Sequence, residues 1–600
     1  MKAFPSVRSG SILVAMALLT GVPLSAQTTQ RVSVDTGGAE GDGNCGLSSI
    51  SADGRYVAFE STSTNLVAGD TNAASDIFVR DRQTGTTERV SVDSAEAQGS
   101  SDSYRPVISA DGRFVAFYSF ATNLVLGDTN AVHDVFVRDR QLGTTERVSV
   151  GVGGVQGNSD SILPAISADG RYVVFYSLAG NLVASDSNGV YDVFRRDRQL
   201  GITARMSVDT GGTQGNGASV DPDVSSDGRY VTFSSSATNL DAGDTNAVDD
   251  IFVRDTNMGT TARLSMAPGL AQANGGSGQP TISDDGRYVE FWSTASNLVP
   301  GDTNGIRDIF VRDSLTATTE RSSVATGGGQ ANFGGNVGSI SPDGRYVGFS
   351  SVATNLVAGD TNAQEDIFLR DRQNGTTERV SLGTGGAEGD DDSDWPTVSS
   401  GGRFVAFVSW STNLVAGDTN VKPDDFVRDR VASGFTSLCN PGQSGTIACP
   451  CANPPSGTGR GCNNSSGTGG AILMASGTAY LATDTLVFTT SAERPTALSI
   501  VTQWLGANPA GAIFGMGVRC TSSTFKRLYT KSAVGGSITA PDFGAGDPPV
   551  SVRSAALGDT ILAGQSRWHF VYYRDPVVLG GCPASSTFNA TQTGQVAWGP

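Results

Sequence analysis

Histidine is nearly absent from this chain, and the motifs of several enzyme classes are missing with it. His133 and His569 are the only two histidines, which argues against a His-dependent catalytic triad and against a His-rich metal site. The sequence contains neither a Gly-x-Ser-x-Gly nucleophile motif nor a phosphate-binding loop, which argues against serine hydrolases and nucleotide-dependent enzymes. No long helical pattern appears either, whereas short apolar runs separated by glycine-rich turns are frequent. These absences favour an all-β protein without a recognisable catalytic motif.

Charged residues are also scarce, at 17% of the chain, and their balance is negative, with a net charge of −18. Most of this negative charge lies between residues 31 and 436, whereas the segment after residue 436 is slightly basic. An acidic surface repels nucleic acid. It attracts cations or basic partners, or it serves solubility alone.

The N-terminal apolar run is too short to cross a membrane. It extends from Ile12 to Leu19, follows Lys2 and Arg8, and ends in the small-residue segment 24–26. This order is typical of a secretory signal peptide, and we expect residues 1–26 to be removed. A membrane anchor is the alternative, but a span needs roughly 18 apolar residues. The sequence therefore predicts a secreted protein, in the periplasm, on the cell surface or outside the cell, with no transmembrane segment after cleavage.

A unit of 58 residues is repeated seven times, with one arginine marking each copy: Arg31, Arg89, Arg147, Arg205, Arg263, Arg321 and Arg379. Each unit contains an Asp-Gly turn and short apolar strands. In the second copy we expect strands at 106–109, 113–119, 134–140 and 145–150. Units this small bury a core only by stacking, and radial stacking gives a β-propeller. The sequence predicts a seven-bladed propeller over residues 27–436 and a smaller domain over 437–600, and 31–34 is expected to close the ring beside 424–429.

The sixth copy carries the pattern most clearly. It reads Ser-Pro-Asp-Gly-Arg at 341–345, Val-Gly-Phe at 347–349 and Asp-Ile-Phe-Leu-Arg-Asp at 366–371. These residues resemble the TolB-like, WD-type propeller repeat, and the resemblance covers residues 31 to about 436. It implies the propeller fold. It does not imply one activity, because this fold serves enzymes, docking proteins and translocation accessory proteins alike.

The repeated Asp-Thr-Asn loops place oxygen donors at a spacing that is similar to calcium loops. The residues are Asp70, Asn72 and Asp76, with their equivalents Asp128, Asn130, Asp134, Asp244, Asn246 and Asp250. The EF-hand pattern is incomplete, because Ala74 occupies the fifth position and no bidentate Glu follows. The alternative is a side-chain-capped turn that orders the next strand. Calcium is the one cofactor that the sequence suggests.

An acidic run in the seventh connecting loop is the candidate binding region. It consists of Glu388, Asp390, Asp391, Asp392 and Asp394, followed by Trp395. Carboxylates beside an aromatic side chain suit a cation or a basic partner. A solvated acidic loop is the alternative.

Six of the seven cysteines lie in the C-terminal segment: Cys439, Cys449, Cys451, Cys462, Cys520 and Cys582. In an exported chain an even set predicts disulfides, with a metal cluster as the alternative. We expect Cys45 to be free and the segment to form a disulfide-stapled β-sandwich. It weakly resembles cysteine-rich C-terminal modules of secreted proteins from environmental bacteria.

Together these features predict a binding or scaffold protein that recognises a protein or glycan partner through variable loops on one face. Residues present in every copy are structural candidates first, so a unique site is expected where the copies differ. The alternative is a carbohydrate-active enzyme, a lyase or hydrolase, with carboxylates in the propeller mouth. A single pocket on the variable face that gathers two or more carboxylates with an Arg or Tyr from different blades would favour the enzyme, and a scattered acidic rim would favour binding. The sequence leaves the oligomeric state open.

Overall fold

The computed structural model describes residues 27–383, 386–430, 436–439, 462, 471–476, 486–505, 507–514, 517–521, 525–561, 565–575, 588–591 and 593–597. The predicted signal peptide lies outside this set. The chain divides into two compact units. The boundary along the chain lies between Val431 and Ala432, a few residues before the predicted boundary.

The first unit is a β-propeller built from four-stranded antiparallel sheets, which we call blades 1 to 7 in chain order. The strands of blades 1 to 4 are Cys45–Ile50, Tyr56–Ser61, Asp76–Asp81 and Thr86–Arg89; Ser103–Ile108, Phe114–Ser119, Asp134–Asp139 and Thr144–Arg147; Ser161–Ile166, Tyr172–Ser177, Asp192–Asp197 and Ile202–Arg205; and Ser219–Val224, Tyr230–Ser235, Asp250–Asp255 and Thr260–Arg263.

Blades 5 and 6 contain Ser277–Ile282, Tyr288–Ser293, Asp308–Asp313 and Thr318–Arg321, and then Gly335–Ile340, Tyr346–Ser351, Asp366–Asp371 and Thr376–Arg379. Blade 7 contains Ser393–Val398, Phe404–Ser409 and Asp424–Asp429. Short 3₁₀ turns lie at Val152–Gly154, Pro268–Leu270 and Ser400–Gly402, and a minor ribbon pairs Met266–Ala267 with Ala271–Gln272.

Blade 7 is completed by the N-terminal strand of the unit. Thr28–Arg31 pairs antiparallel with Asp424–Asp429, with Thr28 opposite Asp429 and Arg31 opposite Phe426. The predicted closure is therefore confirmed, but the strand lies three residues earlier than expected, since 31–34 was predicted. Strand Thr436–Cys439 instead pairs with Thr593–Ala597 in the second unit.

Each blade packs on the next through a buried apolar layer, and the last packs on the first. Val79 of blade 1 lies against Ile108 and Val115 of blade 2, and the same type of layer recurs around the ring. Val57 of blade 1 packs with Phe404 of blade 7. This burial stabilises the ring, because no blade of this size covers both of its own faces.

The Asp-Gly turns pack closely against the neighbouring blade because their glycine has no side chain. Gly112 adopts φ +74°, and a Cβ built there would lie 2.1 Å from Cδ2 of Tyr56 in blade 1. The same Tyr56 ring lies between the guanidinium groups of Arg55 and Arg140, at 4.6 and 4.5 Å. Glycine is required here for both its backbone conformation and its close approach.

The second unit is also mainly β. One sheet contains Thr436–Cys439, Thr593–Ala597, Ser566–Arg574, Leu498–Trp504 and Phe525–Ser532 in that order, with Phe588–Ala590 also paired to Ser566–Arg574. A second sheet contains Ile472–Ser476, Val487–Ser491 and Thr539–Ala540, and Ala507–Phe514 pairs with Gly517–Thr521. The 3₁₀ turn Phe543–Ala545 and the helix Val550–Ala556 complete the described elements.

The two sheets share one core, in which Phe488 of the smaller sheet lies with Val501 and Val571 of the larger one. Cys45 is free and buried, as expected, and Cys462 is disulfide-bonded. Cys449, Cys451 and Cys582 lie outside the described residues, so the disulfide framework stays a prediction. In the described ranges, no helix is both long enough and apolar enough to span a membrane.

Candidate functional site

The first strand of every blade has an irregularity at the same place, next to the propeller axis. Its pairing with the second strand shifts register there, between Tyr104 and Val107 in blade 2 and between Val220 and Asp223 in blade 4. The same shift occurs in the other five blades. Such a bulge inserts an extra residue and redirects its side chain.

The extra residue varies from blade to blade, with leucine occurring twice, although the backbone around it repeats. The positions are Leu47, Arg105, Leu163, Asp221, Gln279, Val337 and Trp395. We call the six of them whose side chains are described, all but Val337, the bulge ring. In blades 2, 3, 4, 5 and 7 the bulge residue precedes proline and has a φ of about +50°, between 49 and 52°. A residue other than glycine, and above all one before proline, rarely adopts this conformation. Such strain costs of order 1–3 kcal/mol, and the fold retains it at five positions.

The bulge ring opens onto a cavity on the propeller axis, which we call the axial cavity. Its volume is about 360 Å³, and first-strand residues of all seven blades line it. Five members of the bulge ring belong to the lining, and we call them its mouth: Leu47, Arg105, Leu163, Asp221 and Gln279. Trp395 is not among the lining residues. The rest of the lining is largely apolar, with residues such as Val107, Ile282 and Ile340.

Arg105 is held at the mouth by the neighbouring blade. Its backbone N–H donates to Oε2 of Glu60 at 2.7 Å. Glu60 has room for this contact because residue 46 is glycine, where a Cβ would lie 2.0 Å from Oε1 of Glu60. Burial raises the pKa of Glu60, and the bonded Arg105 N–H and the Arg105 charge partly offset that effect.

Asp221 shares the mouth with Arg105. Burial raises the pKa of Asp221, the Arg105 charge lowers it, and Asp249 raises it further. Burial likewise raises the pKa of Tyr176, with Asp221 and Tyr191 adding to the shift and Arg105 opposing it. Arg105 thus acts on the pKa of Asp221 through space, and no ion pair within 4.0 Å joins the two in the described part of the chain.

Two further carboxylates line the axial cavity, but they differ from Asp221 in their surroundings. Both oxygens of Asp223 accept backbone N–H groups at 2.8 Å, from Val224 and from Ile282 of the next blade. Burial raises the pKa of Asp223 to about 6. Asp284 lies in the Asp-Gly turn of blade 5, where burial and then Asp285 raise its pKa to about 6. Asp223 thus joins two blades, and Asp221 is the carboxylate presented at the mouth.

Aromatic side chains cluster near the bulge positions of blades 2 and 7. The Tyr104 and Tyr118 rings lie 5.5 Å apart, and His133 lies 5.3 Å from Tyr118 and 3.9 Å from Phe120. In blade 7 the rings of Trp395 and Trp410 lie 6.3 Å apart. Phe120 is 41% exposed and Trp410 38%. Exposed rings such as these are suited to contacting a ligand.

The acidic run of blade 7 does not form one cluster. Glu388 accepts hydrogen bonds from the Thr361 backbone and hydroxyl and pairs with Arg379 at 2.7 Å, and these contacts lower its pKa to about 2. Asp390 caps Thr412 through both oxygens at 2.7 Å.

The remaining acidic residues of this run accept backbone N–H groups. Asp391 accepts the backbone N–H of Asp392 at 2.9 Å, and Asp392 accepts that of Glu365 at 2.8 Å. Asp394 accepts the N–H of Trp395 at 2.7 Å. Trp395 belongs to the bulge ring. The predicted binding role of the run stays a prediction, now concentrated at its C-terminal end.

The Asp-Thr-Asn loops gather their carboxylates around an arginine. Nη1 of Arg89 lies 3.3 Å from both Asp70 and Asp76, and Asn72 donates to Asp76 at 3.1 Å. The same bridge joins Arg147 to Asp128 and Asp134, with Asn130 donating to Asp134, and joins Arg263 to Asp244 and Asp250. Asn246 donates to the Ala273 carbonyl. A calcium ion would therefore compete with an internal guanidinium for the carboxylates of each of these loops.

No protein-family model matches the chain, and no curated protein matches it either. Solved structures do. TolB from Acinetobacter baumannii is 15% identical, with a TM-score of 0.31, over 56% of this chain and 62% of that one. A putative TolB from Agrobacterium tumefaciens is 18% identical, with a TM-score of 0.30, over 46% and 79%.

An oligogalacturonate lyase in complex with manganese is 13% identical, with a TM-score of 0.42, over 68% of this chain and 94% of that one. This chain covers 62% of the Acinetobacter TolB, which is less than two thirds of its length. None of these likenesses assigns an activity to this chain.

Sequence reasoning missed the bulge ring, except for Trp395. The available signal was a dipeptide in the first strand of five units, such as Arg105-Pro106, Asp221-Pro222 or Gln279-Pro280, in which proline recurs and the preceding residue varies. It was overlooked because a residue before proline is ordinarily extended and unremarkable.

Proposed function

We propose that this chain is a binding propeller that recognises a protein or glycan partner at the bulge ring and the aromatic side chains around it. One observation carries the proposal: a strained backbone feature recurs in five blades around the axis and presents a different side chain in each of the five, namely arginine, leucine, aspartate, glutamine and tryptophan. Strain retained at several positions indicates a constraint other than packing. The N-terminal signature predicts that the partner is met outside the cytoplasm.

The bulge ring offers the chemistry that recognition needs. Arg105 and Asp221 supply opposite charges, Gln279 an amide and Trp395 an aromatic face, all on first strands of a rigid scaffold. Rigid placement lowers the entropic cost of binding. Anchors of this kind dominate the affinity of protein interfaces, and aromatic rings near polar groups also suit sugars.

Peptide and glycan arrays test the proposal with the mature full-length protein. One variant combines Arg105→Ala, Asp221→Ala and Trp395→Ala. The matched control combines Gln83→Ala, Gln141→Ala and Gln199→Ala, three exposed residues in the turns after the third strands, at the opposite ends of the blades. Binding by the wild type and the control but not by the first variant supports the proposal. Equal binding by both variants, or no binding by the wild type, overturns it.

The second candidate is a carbohydrate-active enzyme, a lyase or hydrolase, and one observation favours it. The axial cavity gathers Asp221 and Asp223 of blade 4 with Arg105 of blade 2, which meets the condition set out from the sequence. Asp221, with its pKa raised by burial, would be the proton donor or acceptor. One observation argues against the enzyme: both oxygens of Asp223, the second carboxylate, already accept hydrogen bonds from backbone N–H groups. Release of reducing ends or unsaturated products by the wild type, lost in Asp221→Asn, would establish the enzyme.

A further inference from the structure

Arg105 differs from the other half-buried arginines of the propeller in having no partner for its guanidinium, since even those without a carboxylate, such as Arg195 and Arg307, donate to carbonyl, hydroxyl or amide oxygens. In each blade the arginine that follows the turn between the first two strands forms a bidentate pair, as Arg113 does with Asp139 at 3.0 and 2.7 Å. The guanidinium of Arg105 forms neither an ion pair nor a hydrogen bond within the described residues, and only its backbone N–H is engaged, by Glu60. It is also the only cationic side chain among the residues that line the axial cavity.

We propose that the axial cavity binds the single carboxylate of an apolar ligand, and that Arg105 holds this carboxylate. The inference rests on the proposed function and names the chemistry of its ligand. A guanidinium presents parallel N–H donors that match the two oxygens of a carboxylate. A half-buried cation without a partner gains most from such a bond, because part of its hydration is already lost.

The surroundings select a monoanion with an apolar body. The charge of Arg105 lowers the pKa of Asp221, so the two groups interact, and Asp223 and Asp284 line the same cavity. One guanidinium offsets one negative charge of a ligand, and these carboxylates repel any further charge, which disfavours a dianion such as phosphate. Leu47 and Leu163 belong to the mouth, and Val107, Ile282 and Ile340 belong to the rest of the lining. An aliphatic group attached to the carboxylate would displace water from this lining.

The size of the cavity limits the ligand further. Its volume of about 360 Å³ lies near the lower end of the range for small-molecule sites, roughly 300–1,000 Å³. A small aliphatic acid fits that volume, and so does the last residue of a peptide whose preceding residues lie across the bulge ring. Both sources share one chemistry, an aliphatic group with a free carboxylate.

Calorimetric titration tests the proposal with acetyl-Gly-Gly-Leu as the free acid, the same peptide as its C-terminal amide, and 4-methylpentanoate. We expect the peptide acid to bind and its amide to bind at least about tenfold more weakly. The Arg105→Gln variant should lose about tenfold or more in affinity for the acid. Gln279 occupies the equivalent bulge in blade 5, so the fold accommodates glutamine there. Arg105→Lys should recover only part of the affinity, because lysine lacks the planar fork.

Lys422→Gln is the matched control, since it removes one positive charge from an exposed loop on the same face, outside the cavity lining, and it should bind the acid as the wild type does. Much tighter binding of the peptide than of 4-methylpentanoate would indicate a protein C-terminus, and equal binding a free small acid. Equal binding of acid and amide, full affinity in Arg105→Gln, or binding of none of the probes would overturn the inference. In those cases array binding that still depends on the bulge ring would leave the proposed function standing.

Discussion

The backbone N–H of Arg105 donates a 2.7 Å hydrogen bond to Oε2 of Glu60 in the preceding blade. The positions equivalent to Glu60 hold tyrosine, serine, tryptophan or valine in the other blades, so only blade 1 supplies a carboxylate there. Gly46 makes room for it. Glu60 therefore acts as a positioning residue for the one arginine of the bulge ring.

Replacing Glu60 should weaken binding through Arg105 rather than through Glu60 itself. In Glu60→Ala the Arg105 N–H loses its acceptor, which costs roughly 1–3 kcal/mol of stability, and Arg105 should lose its fixed direction. Glu60→Gln keeps an acceptor oxygen and should restore most of the affinity for a carboxylate ligand. Calorimetry on the two variants checks this, and the idea fails if alanine and glutamine bind equally well.

Glu290 should make the stability of the propeller fall as the pH rises. It is fully buried, accepts a hydrogen bond from Thr281 at 2.8 Å, and has no partner for Oε1 within the described residues. Burial raises its pKa to about 8. Folding therefore stabilises the protonated form of the Glu290 carboxyl. This stabilisation is fully present below about pH 4.3, the pKa of Glu in the unfolded chain, and it is lost as the pH rises through 8.

Glu290→Gln, which cannot ionise, should therefore stabilise the protein at pH 8 and have little effect at pH 4.5. The effect of the variant on the free energy of unfolding should differ between these two pH values by about 4 kcal/mol, because one pKa unit corresponds to about 1.36 kcal/mol. Thermal unfolding of wild type and variant across this range checks the prediction. A change in Tm that is the same at both pH values would contradict it.

Gly112 and Gly127 separate packing from backbone strain. Both have a positive φ, +74° and +78°, but a Cβ on Gly112 would meet the Tyr56 ring at 2.1 Å, whereas Gly127 has open space around it. Gly127→Ala should cost about 1 kcal/mol from backbone strain alone. Gly112→Ala should cost roughly 1–3 kcal/mol more, because the ring must move. Chemical denaturation measures both, and equal costs would show that the ring moves freely.

Arg89 should be more important to the Asp-Thr-Asn loop than calcium is. Arg89→Met leaves Asp70 and Asp76, both almost fully buried, without their shared cation, at a cost of roughly 3–5 kcal/mol. Since the guanidinium already lies between these carboxylates, we expect EDTA and millimolar calcium to leave the Tm of the wild type unchanged. A calcium-dependent rise in Tm would instead support the calcium prediction.

The repeat made the fold readable from the sequence, because seven equivalent copies separate what every blade needs from what is unique. The pair Arg113 and Asp139 recurs in every blade and is structural, as the repetition indicated. Strand ends were less predictable. The first strand of blade 2 begins at Ser103 rather than 106, because the bulge at Arg105 lets the strand continue past a proline.

The candidate site was less readable than the fold. The acidic run drew attention to Glu388 and Asp390, whose carboxylates turned out to cap Thr361 and Thr412. Arg105 and Asp221 lie two blades apart in the sequence, and only ring closure brings them to one mouth. Nothing local in the sequence indicates that a residue before proline takes a positive φ.

Hydrogen–deuterium exchange on the wild-type protein, with and without a partner captured from the arrays, tests the central claim most directly. If the partner binds at the bulge ring, backbone amides in the first strands 103–108, 161–166 and 219–224 should become more protected, while the turns at 82–85 and 140–143 exchange as before. Protection confined to those turns, or to the second unit, with unchanged exchange in the first strands, would contradict recognition at the axis.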